Sequence, residues 1–182
     1  MDGLIKKIRE CLDQPIALVG MMGCGKSHVG SALASYLDIP FYDSDAEVVM
    51  EQECSIQEIF DEYGEAHFRE LEVQKIASLM KSDKPCVIST GGGALVRPET
   101  LQLIQERAIS IWIECDVDTI YERVKDDTGR PLLQSDDPRG VLVSLLEQRE
   151  ALYKQADIRV DNKARSIEET LRTIGQEVLP RL

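Results

Sequence analysis

Short apolar runs alternate along the chain with longer stretches in which apolar residues recur every three or four positions, a pattern that predicts strands separated by helices. Pro15-Ile-Ala-Leu-Val-Gly20 reads as a buried strand, and Val29, Leu33 and Leu37 follow at helical spacing. Residues 38–42 form a second, shorter run broken by Pro40. Cys86-Val-Ile-Ser-Thr90, Ile109-Ser-Ile-Trp-Ile-Glu114 and Asp157-Ile-Arg-Val-Asp161 read as strands three, four and five. The β-branched and aromatic content of the fourth predicts a strand covered on both faces. Between strands two and three, Ser55-Ile-Gln-Glu58 is a capping box that opens a helix ending at Gly64, beyond which Phe68, Leu71, Ile76 and Leu79 mark a longer one. Pro98 starts a helix carrying Leu101 and Ile104, and Asp116 or Asp118 opens another with Ile120 and Val124. Leu142, Leu145, Leu146, Leu152 and Tyr153 form the stripe of a long helix, and a second capping box, Ser166 to Glu169, opens the last. The repeated β-α alternation predicts an α/β fold, a parallel sheet with helices on both sides.

Composition narrows this further. A chain of 182 residues suffices for one buried core, so a single domain is expected over residues 1–182. The net charge of −12 argues against nucleic acid and anionic membranes as partners, and leaves any anionic ligand to local clusters of Arg and Lys. Cys11, Cys24, Cys54, Cys86 and Cys115 are scattered and odd in number, which predicts free thiols in a reducing cytoplasm, with neither zinc nor disulfides. The first residues have apolar positions at helical spacing but no long apolar core, so they predict a short helix beside the first strand, not a signal peptide or membrane span.

The chemistry starts at Gly20-Met-Met-Gly-Cys-Gly-Lys26-Ser27, a glycine, four residues, then Gly-Lys-Ser, between a strand and a helix N-terminus. This is a phosphate-binding loop: the glycines let backbone N–H groups face phosphate oxygens, Lys26 brings a charge, and Ser27 can ligate Mg²⁺. Asp43 and Asp45 follow strand two, where open α/β sheets bind ligands, although either carboxylate could instead cap the next helix. Arg69 and Glu72 sit three apart on one helix face, as a ligand pair or an exposed salt bridge. Gly91, Gly92 and Gly93 end strand three and offer either close ligand approach or a flexible turn. Arg130 lies in a polar, Pro- and Gly-punctuated loop with the composition of a lid. Arg149 sits at the edge of an apolar stripe, snorkelling or reaching an anion.

Taken together these motifs resemble the shikimate kinase family of small phosphate-loop kinases. The resemblance covers about residues 14 to 175 and rests on the phosphate loop, Asp43-Ser-Asp45, Phe68-Arg69-Glu-Leu-Glu72, Gly91-Gly-Gly93, Gly129-Arg130-Pro-Leu-Leu, Arg149 before Leu152-Tyr153, and Val160-Asp161 with Arg165. It implies a three-layer α/β/α fold with a five-stranded parallel sheet in the order 2-3-1-4-5, an acceptor-binding helical region near residues 45–81, a lid near 126–138 and an N-terminal extension over 1–14. It also implies a monomer that transfers the ATP γ-phosphoryl group to the 3-hydroxyl of shikimate. Gly23, Cys24, Gly25, Lys26, Ser27, His28, Arg130 and Arg165 would then hold ATP, with Arg165 over adenine. Asp45, Arg69, Gly91, Gly92, Gly93 and Arg149 would hold shikimate, with Asp45 as base and Lys26 and Arg130 assisting catalysis. Ser27, and Asp43 through water, would hold Mg²⁺. Two positions depart from the usual pattern: His28 stands where Thr is frequent, and Cys24 lies within the loop, where oxidation of a thiolate would block ATP. The rival expectations are a gluconate or nucleoside monophosphate kinase of the same fold, and a non-catalytic nucleotide switch.

Overall fold

The computed structural model describes residues 2–81, 84–127, 129–162 and 166–182. Five strands, β1 (Ile16–Val19), β2 (Phe41–Asp43), β3 (Val87–Ser89), β4 (Ile109–Glu114) and β5 (Ile158–Asp161), form one parallel sheet in the order β2-β3-β1-β4-β5. The helices are α1 (Asp2–Cys11), α2 (Lys26–Leu37), α3 (Ser44–Gln52), α4 (Ile56–Leu79), α5 (Pro98–Arg107), α6 (Val117–Val124), α7 (Pro138–Tyr153) and α8 (Ile167–Val178). β1 is the central strand, and none of its four side chains is more than 1% exposed. Each large apolar side chain so buried contributes about 1.5–3 kcal/mol. β4 is likewise covered on both faces over Ile109–Ile113, whereas β5 at the edge alternates buried Ile158 and Val160 with exposed Arg159 and Asp161.

Register places the chemistry. Ser89 pairs with Leu18 on one side and Asp43 on the other, so the C-terminal ends of β1, β2 and β3 lie at one level. The phosphate loop, the Asp43–Asp45 turn and the triglycine run all leave the sheet at this edge. α2 can approach closely only because Gly30 has no side chain: a Cβ there would lie 2.6 Å from the Phe41 ring and 3.0 Å from Leu18.

Local signals account for the helix ends. Both capping boxes form, at Ser55 with Glu58 and at Ser166 with Glu169, Asp116 caps α6, and Pro98 occupies the first turn of α5. At Gly64 the backbone leaves helical geometry (φ 81°, ψ 167°), so α4 is two helical stretches, the first ending at Gly64 as the sequence predicts and the longer second one running on to Leu79. α1 differs from expectation, because it packs on α2 and α8 rather than beside β1. Ile8 is buried, Leu4 closes on Gly175 of α8, and Arg9 donates to the Leu37 carbonyl (2.7 Å) at the end of α2. An apolar stripe specifies that one face will be covered, and here the helices of the outer layer cover it. All five cysteines are free, and no helix among the described residues is long and apolar enough to cross a membrane.

Candidate active site

The phosphate loop takes backbone conformations open to glycine, with Gly20, Gly23 and Gly25 at φ of 136°, 72° and 103°. Lys26 folds back across it and donates to the carbonyls of Gly20 and Met21, each at 2.8 Å. The loop is braced from outside by residues that sequence alone did not mark. Asn162, just after β5, donates to the Cys24 carbonyl (2.9 Å), and Arg123 of α6 donates to the Gly23 carbonyl (3.2 Å). The Cys24 side chain is fully buried near Gly20, with Lys26 Nζ 3.9 Å from its sulfur. His28 is exposed, with Gly23, Gly25, Lys26 and Ser27 on the wall of a cavity of about 380 Å³.

Asp43 caps α3 and also faces the phosphate loop. One carboxylate oxygen caps α3, accepting from the N–H groups of Asp45 (3.2 Å) and Ala46 (3.4 Å), while the other accepts from the Ser27 hydroxyl. Ser89 Oγ stands 3.3 Å from Ser27 Oγ. These are hard oxygen donors, and no cluster of three or more His, Cys, Asp or Glu able to hold a metal occurs among the described residues. Such a set suits Mg²⁺, which keeps phosphate and water oxygens and needs few protein ligands.

A second cavity adjoins the first, lined by Met22, Asp45, Ile56, Phe60, Phe68, Arg69, Gly92, Gly93 and residues 129–132. Asp45, Gly92 and Arg130 line both. Arg69 is clamped there. It donates to Glu72 Oε2 (2.7 Å) and to Glu65 Oε1 (2.9 Å from Nη2), and stands 5.3 Å over the Phe68 ring. The exposed salt-bridge reading fails, since the Glu72 side chain is only 1% exposed and that of Arg69 12%. Arg130 is part-exposed and donates through Nε to Asp127 (2.7 Å). Arg149 is 6% exposed and stands behind the second cavity, donating to the Gly92 carbonyl at 3.3 Å. Gly91 is also behind the wall, its N–H given to Ser44 Oγ (3.0 Å). Arg165 lies outside the described residues.

Electrostatics single out Asp45. Its Oδ1 and Oε1 of Glu72 are buried side-chain oxygens without a hydrogen-bond partner, and both press on Gly91. A Cβ on that glycine would sit 2.6 Å from the first and 2.0 Å from the second. Burial, with the Glu72 and then the Asp43 carboxylates beside it, pushes the Asp45 pKa up to about 7 against the opposing pull of Lys26 and Arg69. Burial likewise raises Glu72, opposed chiefly by Arg69. A carboxyl that titrates near neutrality at the junction of two cavities can accept a proton from a group held in one while a phosphate occupies the other.

The comparisons with known proteins agree with this geometry. The family model described as shikimate kinase matches residues 22–179. A shikimate kinase of Novosphingobium aromaticivorans is 44% identical over 179 residues, covering 94% of this chain and 93% of its own, and one of Cereibacter sphaeroides is 42% identical over 164 residues, covering 90% and 82%. Among solved structures, a shikimate kinase from Acinetobacter baumannii in complex with shikimate superposes with a TM-score of 0.91 at 31% identity, covering 97% of this chain and 98% of that one. With a phosphate loop beside a carboxylate- and arginine-lined cavity, and relatives matching nearly end to end, the chain belongs to the shikimate kinase family.

Proposed function

We propose that this chain transfers the γ-phosphoryl group of ATP to the 3-hydroxyl of shikimate, giving shikimate 3-phosphate and ADP on the route to chorismate and aromatic amino acids. The observation that carries the reading is the position of Asp45, on the wall shared by the phosphate cavity and the Arg69 cavity. In this reading ATP places its phosphates over Gly23 to His28, and the acceptor ring lies against Ile56, Phe60 and Phe68. Arg69 and Arg149 hold its carboxylate, Arg supplying the paired donors that carboxylates favour, with Gly92 and Gly93 forming the floor. The acceptor hydroxyl gives its proton to Asp45 as its oxygen forms the bond to the γ-phosphorus and the bond to the ADP oxygen breaks. Lys26 and Arg130 neutralise the charge that moves, and residues 129–132 close over the acceptor as part of the lid. Positioning and charge neutralisation are what phosphoryl transfer requires.

Mg²⁺, held at Ser27 and through water at Asp43, would neutralise phosphate charge when bound. The reading includes a monomer working in the cytoplasm, for which the free thiols are suited. Calorimetric titration tests it: shikimate should bind the wild-type protein, and Arg69→Ala should weaken binding by about 10- to 100-fold, the loss of a charge-assisted contact. An absence of binding to the wild-type protein, with or without ADP, would refute the acceptor assignment.

A further inference from the structure

α7 ends at Tyr153, whose side chain is 1% exposed and lies beside Trp112 with ring centroids 6.0 Å apart. Burial of the ring explains its packing but not where the hydroxyl is aimed. That hydroxyl donates to the carbonyl oxygen of Gly92, with Met21 Sδ 3.5 Å from it. Arg149, one turn earlier, sends Nη1 to the same carbonyl at 3.3 Å. Two donors of one helix therefore converge on one peptide of a triglycine run. Gly92 lines both cavities, and it is pressed on the phosphate loop so closely that a Cβ would lie 2.8 Å from the Met22 nitrogen. A Cβ on Gly93 would lie 2.5 Å from Arg69 Nη2. Three consecutive glycines have the largest conformational freedom of any backbone, so this arrangement needs an outside tie. The peptide is trans, so fixing the Gly92 carbonyl toward α7 turns the Gly93 N–H away from it.

We propose that Tyr153 is a positioning residue: its hydroxyl clamps the Gly92–Gly93 peptide and so holds the acceptor cavity and the phosphate loop at one spacing. Arg149 shares the carbonyl with this hydroxyl, so the two side chains brace the peptide together. The effect on catalysis rests on the kinase reading above, whereas the clamp itself does not.

The test compares wild type, Tyr153→Phe, Tyr153→4-aminophenylalanine and Trp112→Phe. Phenylalanine keeps the ring and its volume, so the first variant folds. Its shikimate KM rises about tenfold, with kcat changed less than about threefold. In the free protein the Gly92 and Gly93 amide resonances shift. The 4-amino group restores a donor and with it both readouts. Trp112→Phe loosens the packing on the same ring, lowers Tm, and leaves shikimate KM within about twofold. A Tyr153→Phe protein with wild-type KM, however low its Tm, overturns the proposal, as do unmoved glycine amides or an amino variant that fails to restore them. If the amides move but the wild-type protein does not phosphorylate shikimate, the clamp stands and the kinase reading falls.

Discussion

Replacing Asp45 with Asn is predicted to make the protein more stable in alkaline solution while abolishing most of its activity. The folded protein holds the Asp45 proton up to about pH 7, whereas the unfolded chain releases it near the usual 3.8. Between those values the folded state binds more protons than the unfolded one, so stability falls as pH rises through the window and is flat above it. The displacement amounts to about 4 kcal/mol at about 1.4 kcal/mol per pH unit, which is the upper bound on what Asp45→Asn recovers at pH 8.5. About 2 kcal/mol of it lies above pH 5.5, a range clear of the pI near 4.6. The assay is urea unfolding of both proteins, without nucleotide, at pH 5.5 and 8.5. New hydrogen bonds made by the Asn amide are the same at both pH values, so the change in the difference isolates the carboxyl. The variant should gain about 2 kcal/mol on the wild type between the two, or about 4–8 °C in Tm for a domain of this size. A difference that does not change with pH would refute the claim that the site raises the pKa of this carboxyl.

Three further outcomes are expected. Arg69→Ala leaves Glu72 buried without its cation and costs about 3–5 kcal/mol of stability, measured by denaturant unfolding, whereas Arg69→Ala with Glu72→Gln recovers much of it. Asn162→Ala removes the tie to the Cys24 carbonyl and raises the KM for ATP about three- to tenfold with shikimate KM little changed, as steady-state kinetics would show. Gly30→Ala forces a Cβ into the Phe41 ring and costs about 1–3 kcal/mol in Tm-derived stability while leaving both KM values at wild type, which separates fold from site.

The phosphate loop was legible because its glycine spacing and its setting between strand and helix are local, and the strands because their apolar runs are. Asp43 could be read as a cap or as a ligand; one of its oxygens caps α3, and the other accepts from Ser27 in the phosphate loop. Arg69 and Glu72 were ambiguous in sequence, since i to i+3 spacing is the same at a surface and in a core. What buries them is the triglycine run and α3, brought there by the parallel β2-β3 pairing. Asn162 and Arg123 carried no signal of their own, because each acts on a backbone carbonyl far away in the chain. Tyr153 stood in the apolar stripe and beside Leu152 in the family motif, but neither pattern shows that its hydroxyl reaches Gly92. Gly64 was legible as the end of the first helical stretch, because the break there uses a positive φ of 81° that favours glycine.

The most direct measurement is Mg²⁺-dependent ADP release from ATP by the purified protein, with shikimate, gluconate, nucleoside monophosphates and no acceptor run side by side. Shikimate alone should stimulate turnover, and Asp45→Asn should lower that rate by at least about 10²-fold. Turnover with gluconate or a nucleotide in place of shikimate would leave the fold intact and contradict the acceptor site, and ADP release indifferent to every acceptor would contradict the kinase itself.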